Sequence, residues 1–234
     1  MRHIARFFVE HQLHEEAEVT LADHQMHHAS NVLRLEKKDQ IILFNGYSGE
    51  WNCEIIDVKK RRVRCINILR EQIEEKGPML AISLINPAKM SLLLEKTTEL
   101  GVSEIIPIIS QYTQHKKFNT EKARSIVIGA AEQSRRMTAP KIHDPVELSA
   151  FLASPARTVT LLVGDETMSG MPIKDAIDKN VAFLIGPEGG FSTEEMKMMD
   201  NYDFVKKVTI GRNILRSETA AITFVALWSV LWNN

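Results

Sequence analysis

The sequence predicts an α/β protein in which a small β-barrel precedes a parallel β-sheet. Two patterns among its 234 residues support this fold class. In the N-terminal third, short strand-like runs follow one another with turn residues between them, which is typical of a small barrel. Strand-like and helix-like segments then alternate, which favours a parallel sheet covered by helices on both faces. A polar linker at residues 71–78 separates the two patterns, so we expect domains at residues 1–72 and 73–234.

The first domain is expected to hold five strands and one helix. The predicted strands are residues 5–8, 17–21, 40–44, 51–58 and 62–69. Asn45 and Gly46 supply turn chemistry between two of them, which predicts a hairpin. Asp23 is placed to cap the helix. The apolar stripe of that helix comprises Met26, Ala29, Val32 and Leu33.

The second domain is expected to alternate between strands and helices. Its predicted strands are residues 80–85, 104–109, 158–163, 181–185 and 205–210. Its predicted helices are residues 88–100, 120–136, 145–152 and 172–178, one that starts after Ser192, and a terminal helix from about Glu218. Ser192 and Glu195 have the spacing of a capping box, which marks the start of a helix.

Charge and composition limit the classes of function. The net charge is −1, so any basic face for nucleic acid must be local. Cys53 and Cys65 lack metal-binding spacing and are expected to be reduced, buried thiols. His24 and His28 are four residues apart on a helix but have no third ligand, so no metal site is predicted. No apolar run has the length of a membrane span or forms a signal peptide, from which we expect a soluble cytoplasmic protein.

Two glycine-rich segments near the C-terminus carry the functional signal. The first glycine loop is residues 186–192, Gly-Pro-Glu-Gly-Gly-Phe-Ser, and the second glycine loop is residues 211–219, Gly-Arg-Asn-Ile-Leu-Arg-Ser-Glu-Thr. Each follows a predicted strand and leads into a predicted helix, where backbone amides are available to a ligand. The pair predicts one small-molecule site that is lined largely by main chain.

The glycine loops fit neither of the common nucleotide motifs. A Walker A loop needs a lysine that reaches the phosphates, whereas the first glycine loop carries Glu188 and no lysine. A Rossmann fingerprint follows the first strand of its sheet, whereas these loops follow late strands. A zwitterionic, adenosine-containing ligand held by main-chain groups fits better, although the spacing does not identify it.

The two glycine loops together resemble the signature pair of the SPOUT-class RNA methyltransferases. More narrowly, they are similar to the family that methylates N3 of a uridine in small-subunit ribosomal RNA. Supporting motifs are His28, residues 32–34 (Val-Leu-Arg), 44–46 (Phe-Asn-Gly), 95–101 (Glu-Lys-Thr-Thr-Glu-Leu-Gly) and 132–135 (Glu-Gln-Ser-Arg). The resemblance covers nearly the whole chain and implies a PUA-like barrel followed by a SPOUT-type parallel sheet with a trefoil knot. It also implies a homodimer that acts on ribosomal RNA or on the small ribosomal subunit.

The resemblance implies that S-adenosylmethionine is the cofactor and that three segments bind it. These segments are the end of strand 158–163 and the two glycine loops with the residues beside them. Close approach of main chain to a ligand favours residues without bulky Cβ groups. The expected cofactor-binding residues are Leu162, Val163, Gly164, Ile185, Gly186, Glu188, Gly189, Gly190, Ile210, Gly211, Ile214, Leu215, Arg216 and Thr219.

Methylation at N3 of uracil requires loss of the imide proton and stabilisation of negative charge on the flanking carbonyls. Arg216 is the first candidate for that electrostatic role, and Arg212 is a weaker one. Glu188, Glu132 and Glu218 are candidates for the proton acceptor, and the sequence does not rank them. Arg216 could equally be a structural ion-pair partner, and the helix dipole alone explains a glutamate at Glu218.

RNA must be held by cations that point at its phosphates. The densest basic run is residues 59–62, Lys-Lys-Arg-Arg, for which a solvated hairpin edge is an equally good interpretation. Residues 115–117 and 135–136 are candidates in the second domain. The expected RNA-binding residues are Arg2, Arg6, His28, Arg34, Lys59, Arg61, Arg62 and Arg135.

The C-terminal segment 220–232 is apolar on nearly every face, so a helix there should be buried all round. A buried helix in a monomer and a helix shared with a partner subunit both satisfy this pattern, and the resemblance implies the second.

Two other functions stay open: a SPOUT enzyme for another target, such as a ribose 2′-OH of transfer RNA, and a non-catalytic RNA-binding assembly factor. The intact glycine loops and Arg216 argue against the assembly factor.

Overall fold

The computed structural model describes residues 4–154, 159–167 and 169–232. The chain divides into two units, the first formed by the residues up to 75 together with 131–139, and the second by residues 76–130 and those from 140 onward. Inclusion of residues 131–139 in the first unit is a feature that the sequence patterns do not indicate.

The first unit contains a five-stranded sheet with the order β1-β3-β4-β5-β2. Its strands are β1 Arg6–Phe8, β2 Glu18–Thr20, β3 Gln40–Phe44, β4 Glu50–Asp57 and β5 Arg62–Arg70. β1 is parallel to β3, and the other neighbours are antiparallel. Register shifts between β4 and β5 mark bulges, which bend a sheet around its core. The five predicted strands are therefore confirmed, and their bounds differ from the prediction by at most one residue.

The start of helix α1 (Asp23–His27) differs from the prediction. The N-cap residue is Ala22, and Asp23 is the first helical residue. The Asp23 carboxylate lies 2.7 Å from the guanidinium of Arg61, so it forms an ion pair instead of capping the helix. The predicted capping role of Asp23 is therefore wrong.

The helix continues in a π-helical turn, His28–Val32. A π turn holds more residues than an α turn, so the residues after it rotate away from the face that α spacing predicts. Val32 and Leu33 are 59% and 40% exposed, whereas Met26 and Ala29 are buried. The predicted apolar stripe is therefore correct only in its first half.

The second unit contains a sheet with the order β11-β13-β10-β12-β6-β7-β8, and β9 pairs with β7 beside it. All pairings between its described strands are parallel. The strands are β6 Met79–Ser83, β7 Glu104–Ile109, β8 Lys141–Ile142, β9 Val146–Glu147, β10 Thr160–Gly164, β11 Met171–Pro172, β12 Val181–Ile185 and β13 Val205–Thr209. The predicted parallel sheet is confirmed, although the start of predicted strand 158–163 lies outside the described residues.

The helices in the rest of the chain are α2 Pro87–Glu99, α3 Thr120–Ser134, α4 Leu148–Ala153, α5 Thr193–Met199 and α6 Ser217–Trp232. The predicted helix 172–178 is wrong: it is a single 3₁₀ turn, Ile173–Asp175, because the residues just before it pair with β13 as β11. The predicted helix 145–152 begins only at Leu148, because Val146 and Glu147 pair with β7. No helix of the described segments is long and apolar enough to cross a membrane.

Alternation along the central strands builds a core on each face of the second sheet. Leu162 and Phe183 lie in a core that includes α2, α3 and α6. Val163 and Leu184, their next neighbours in sequence, lie in a second core that includes α4 and α5. The near-continuous apolar runs of these strands are typical of a parallel sheet buried on both faces.

The strand order brings three loops to one edge of this sheet. β12 and β13 both pair in parallel with β10, one on each side. The carboxyl ends of parallel strands lie at the same edge, which is where open α/β sheets bind ligands. The residues that follow β10 therefore lie between the first and second glycine loops.

Candidate active site

A cavity of about 370 Å³ lies at this carboxyl edge. Its walls come from the end of β10, the first glycine loop, the end of β13 with the second glycine loop, and α6. The lining residues are Gly164, Asp165, Glu166, Ile185, Gly186, Pro187, Glu188, Gly189, Gly190, Val208, Thr209, Ile210, Asn213, Ile214, Leu215, Arg216, Ser217, Ala220 and Phe224. One cavity thus joins the two loops that the sequence marks as ligand-binding.

Most of the expected cofactor-binding residues line this cavity. Those that do are Gly164, Ile185, Gly186, Glu188, Gly189, Gly190, Ile210, Ile214, Leu215 and Arg216. Leu162, Val163, Gly211 and Thr219 are not among the lining residues. Leu162 and Val163 lie inside β10 with their side chains fully buried in the two cores, so only the end of that strand reaches the cavity.

Several lining residues are absent from the sequence-based expectation. They are Asp165, Glu166, Val208, Thr209, Ser217, Ala220 and Phe224. Pro187 and Asn213 also line the cavity and lie within the two loop segments that are expected to surround the cofactor. A signal for Asp165 and Glu166 exists, because residues that follow a strand of a parallel sheet lie at its ligand-binding edge. The sequence gives no signal for Ala220 and Phe224, because the apolar pattern of α6 does not indicate which face of the helix lines the cavity.

Two glycines of the site have left-handed backbone conformations with different surroundings. Gly190 has a φ of +69°, and a Cβ atom there would overlap the carboxylate of Glu166. Gly211 has a φ of +64°, but a Cβ atom there would have nothing within 4 Å. Glycine is the residue that adopts such φ values at low cost. Gly190 is therefore restricted by conformation and by space, and Gly211 by conformation alone.

Asp165 and Glu166, the two carboxylates that follow β10, differ in the direction of their pKa shifts. The Asp165 carboxylate accepts hydrogen bonds from the Thr167 N–H at 2.9 Å and from the Ser169 hydroxyl at 2.8 Å. Burial acts to raise the pKa of Asp165, but such hydrogen bonds outweigh it and the pKa lies below its ordinary value. Burial raises the pKa of Glu166, and the charge of Asp165 adds to this effect. The pKa values of these two neighbouring carboxylates are therefore shifted in opposite directions, and Glu166 is the one that takes up a proton more readily.

Glu188 lines the cavity and is paired with a lysine from α2. Lys89 Nζ donates to Glu188 Oε1 at 3.3 Å. Burial acts to raise the pKa of Glu188, but hydrogen bonds from its own N–H, from Lys89 and from the Asn86 N–H outweigh burial and lower the pKa. A carboxylate held in its charged form is a weaker proton acceptor. The contacts of Glu188 therefore favour a role in ligand binding over a role as the proton acceptor.

Arg216 lines the cavity and is exposed. Its guanidinium forms no ion pair within the described segments, so the alternative of a structural ion-pair partner finds no support there. Arg212 is exposed and does not line the cavity. Of the two arginines, Arg216 is the one that lines the cavity.

The other two proton-acceptor candidates lie outside the cavity lining. Glu132 belongs to the first unit, where its carboxylate accepts a hydrogen bond from the Phe8 N–H at 2.8 Å. Burial raises the pKa of Glu132. Glu218 is buried in the first turn of α6, 3.9 Å from Lys89 Nζ. The contacts of Glu132 indicate that it anchors strand β1.

Arg6, one of the residues expected to bind RNA, is buried within the first unit. Its Nε donates to Glu50, and its Nη1 donates to the carbonyl oxygen of Ala131 at 2.9 Å. Its guanidinium also lies 3.6 Å from the centre of the Phe44 ring. These contacts use the side chain for packing, which leaves it poorly placed to meet a phosphate.

The remaining RNA-binding candidates differ in how far their charges are already paired. Arg61 pairs with Asp23 at 2.7 Å, and Arg62 pairs with Glu18 at 3.0 Å. The exposed candidates are His28, Arg34, Lys59 and Arg135, and Arg2 lies outside the described residues.

No group of three or more His, Cys, Asp or Glu side chains in the described segments could hold a metal ion.

Two protein families match this chain. The RNA methyltransferase domain family matches residues 75–229, and the RNA methyltransferase PUA domain family matches residues 21–66. The match to the first family contains every residue that lines the cavity. The match to the second lies within the five-stranded unit.

Curated relatives and solved structures agree with these matches. Ribosomal RNA small subunit methyltransferase E of Rickettsia conorii is 33% identical over 94% of this chain and 93% of its own length. The enzyme of the same name from Neisseria gonorrhoeae, solved with S-adenosyl methionine, is 28% identical, with a TM-score of 0.83 over 98% of both chains. A Legionella pneumophila structure with bound SAM is 29% identical, with a TM-score of 0.86 over 97% of this chain and 98% of its own. These likenesses confirm the predicted fold class.

Proposed function

This chain belongs to the RNA methyltransferase family, and we propose that it uses S-adenosylmethionine to methylate small-subunit ribosomal RNA at N3 of a uridine. One observation carries the proposal: the two glycine loops and the end of β10 enclose a single cavity inside the segment that matches the family. The names of the full-length relatives support small-subunit ribosomal RNA as the substrate. The ligand bound in the Neisseria and Legionella structures supports S-adenosylmethionine as the cofactor.

The residues of the cavity fit this cofactor. Gly186, Gly189 and Gly190 lack side chains, so main-chain groups can approach a ligand closely. Ile214 and Leu215 offer apolar surface for a planar ring. Asp165 and Glu188 supply negative charge that matches a sulfonium and an α-amino group. When bound, the cofactor supplies an electrophilic methyl group.

Arg216 has the properties needed to assist the attack of a uracil N3. Negative charge spreads onto the carbonyls beside N3 when its proton leaves, and a fixed guanidinium stabilises that charge. Arg216 is exposed and lines the cavity, so its charge is available to an incoming base. Glu166 is the better supported proton acceptor of the lining carboxylates, because its pKa is raised whereas those of Asp165 and Glu188 are lowered.

We further propose that the protein acts as a homodimer in the cytoplasm, where ribosomal RNA is found. The apolar helix α6 buries only part of its surface within the chain, and Val230 and Leu231 near its end are 75% and 52% exposed. Exposed apolar side chains that adjoin a buried helix face suit a contact with a second subunit. The first unit, which carries the PUA match and the exposed Lys59, is the proposed RNA-binding part.

Nucleoside mass spectrometry of small-subunit ribosomal RNA tests the proposed reaction directly. RNA from a strain that lacks this protein should lose 3-methyluridine, and the wild-type chain with S-adenosylmethionine should restore it. If 3-methyluridine persists and another methylated nucleoside, such as a 2′-O-methylated one in transfer RNA, disappears, the target is wrong. If the purified protein binds no S-adenosylmethionine by calorimetry, the non-catalytic assembly factor becomes the better explanation.

A further inference from the structure

The side chain of Lys89 contacts a carboxylate from each glycine loop. Its Nζ lies 3.3 Å from Glu188 Oε1, in the first glycine loop, and 3.9 Å from Glu218 Oε1, where the second glycine loop enters the first turn of α6. Lys89 itself projects from the first turn of α2, a helix that packs against α6. The ammonium group is therefore the common partner of two loops that are about thirty residues apart in sequence.

Burial makes the Lys89–Glu218 contact stronger than a surface ion pair, whereas the Glu188 side chain is 38% exposed. The side chains of Lys89 and Glu218 are 30% and 11% exposed. Glu218 Oε2 has no hydrogen-bond partner in residues 4–154, 159–167 and 169–232, so Lys89 is the cation that stands beside this buried carboxylate. Charges shielded from water interact more strongly than exposed ones, and a buried carboxylate without a cation is costly.

Glu188 is fixed at the same place by a second contact. Its carboxylate also accepts a hydrogen bond from the N–H of Asn86, the N-cap residue of α2. The N-terminus of a helix favours negative charge, so α2 holds the first glycine loop through Asn86 and Lys89 together. Lys89 also pairs with Glu218, which connects α2 to the end of the second glycine loop.

We propose that Lys89 is a positioning residue that holds the two glycine loops at the separation required for cofactor binding. This inference rests on the proposed function, since it takes the cavity between the loops as the cofactor site. Without the ammonium group, Glu188 and Glu218 would face each other as like charges and the loops would separate. The ligand would then have to bring the loops together, which reduces its affinity.

Calorimetric titration of S-adenosylmethionine into Lys89→Met tests this role. We expect the Kd to rise by about tenfold, whereas kcat at saturating cofactor stays within about threefold, because the reacting groups are unchanged. Lys89→Arg keeps the positive charge and should restore most of the affinity. Lys96→Met is the matched control, because Lys96 lies on the same helix but pairs with Glu95 and Glu99.

A double variant separates loop positioning from a general loss of stability. Lys89→Met combined with Glu218→Gln removes both the cation and the buried charge that it neutralises, so it should regain the stability that Lys89→Met loses. Its Kd for S-adenosylmethionine should still exceed that of the wild type, because no ammonium group joins residues 188 and 218. Equal affinity of the wild type, Lys89→Met and Lys96→Met would overturn the inference while leaving the proposed function in place. Failure of the wild type to bind S-adenosylmethionine would instead refute the proposed function.

Discussion

The Glu166 carboxylate occupies the space beside Gly190 that a side chain at position 190 would need. Both residues line the cavity, one at the end of β10 and the other in the first glycine loop. The contact means that the backbone of this loop and the Glu166 side chain can approach only because residue 190 is glycine. A side chain at Gly190 would have to displace the Glu166 carboxylate, which is the flexible end of an exposed side chain.

Gly190→Ala should therefore weaken cofactor binding more than Gly211→Ala. Both glycines have positive φ, so each substitution costs about 1–2 kcal/mol of backbone strain. Only Gly190→Ala adds an overlap with Glu166. Calorimetry should show a Kd for S-adenosylmethionine raised by about tenfold or more in Gly190→Ala and by less than about threefold in Gly211→Ala.

A second substitution checks the cause. Glu166→Ala in the Gly190→Ala background removes the overlapping carboxylate, so it should recover part of the lost thermal stability. Equal losses of affinity in the two glycine variants would show that backbone strain alone is responsible.

Arg216→Ala should lower turnover far more than cofactor affinity. If its guanidinium stabilises charge on the uracil carbonyls, its loss should reduce kcat by about 10²–10³-fold. The Kd for S-adenosylmethionine, measured by calorimetry, should change by less than about threefold. Arg212→Ala is the control, because Arg212 is exposed but does not line the cavity. An unchanged kcat in Arg216→Ala would remove this residue from the chemistry.

The salt dependence of RNA binding should distinguish free from paired cations in the first unit. Lys59 and Lys60 are exposed, whereas Arg62 lies 3.0 Å from the Glu18 carboxylate. Substitution of both lysines by alanine should reduce the slope of log K against log salt by about 1–2, because fewer counterions are released. Arg62→Ala should change the slope less. A slope that is the same in all three proteins would exclude residues 59–62 from the RNA interface.

Charged residues at the end of α6 should disrupt the proposed homodimer. Val230 and Leu231 are exposed apolar side chains in the isolated chain. Val230→Glu with Leu231→Glu should shift the mass measured by light scattering from that of a dimer to that of a monomer, because two charges cannot be buried without partners. A wild-type protein that is already monomeric would contradict the dimer.

Local patterns in the sequence predict the elements and the position of the site, but not the contacts between distant residues. Ser192 and Glu195 form the predicted capping box, because both partners lie within one helical turn. Asp165 and Glu166 reach the cavity only because β10 lies between β12 and β13, and strand order is not visible in local periodicity. The trefoil knot is expected from resemblance alone, because general topology rules treat knots as exceptions.

The environment of the Arg6 side chain likewise could not be predicted from local sequence patterns. Beside Phe7 and Phe8, its sequence context suits a surface cation at the edge of a barrel. In the structure it is buried by Glu50 and by carbonyl oxygens of residues 131–136, which are distant in sequence. A buried cation needs such partners, and no local pattern around Arg6 reveals them.

Glu50 should make the first unit sensitive to acid. Its carboxylate, 8% exposed, accepts hydrogen bonds from Arg6 and Arg70. Burial acts to raise the pKa of Glu50, but the two guanidinium groups outweigh it, so the pKa is lowered. A lowered pKa in the folded state adds stability that is fully present above the unfolded pKa of about 4.3 and is lost as the pH falls through the folded value.

Glu50→Gln should therefore destabilise the protein at neutral pH and matter less in acid. At pH 7 we expect a loss of about 3 kcal/mol, because Arg6 is left buried without its carboxylate while Arg70 can turn to solvent. Urea unfolding can be followed through Trp51 in a background with Trp228→Phe and Trp232→Phe, so that only the first unit is observed. The difference in unfolding free energy between that background and its Glu50→Gln variant should narrow below about pH 4, whereas the exposed control Glu15→Gln should show little difference at any pH. A difference that stays constant from neutral to acid pH would mean that the charge of Glu50 does not contribute to stability.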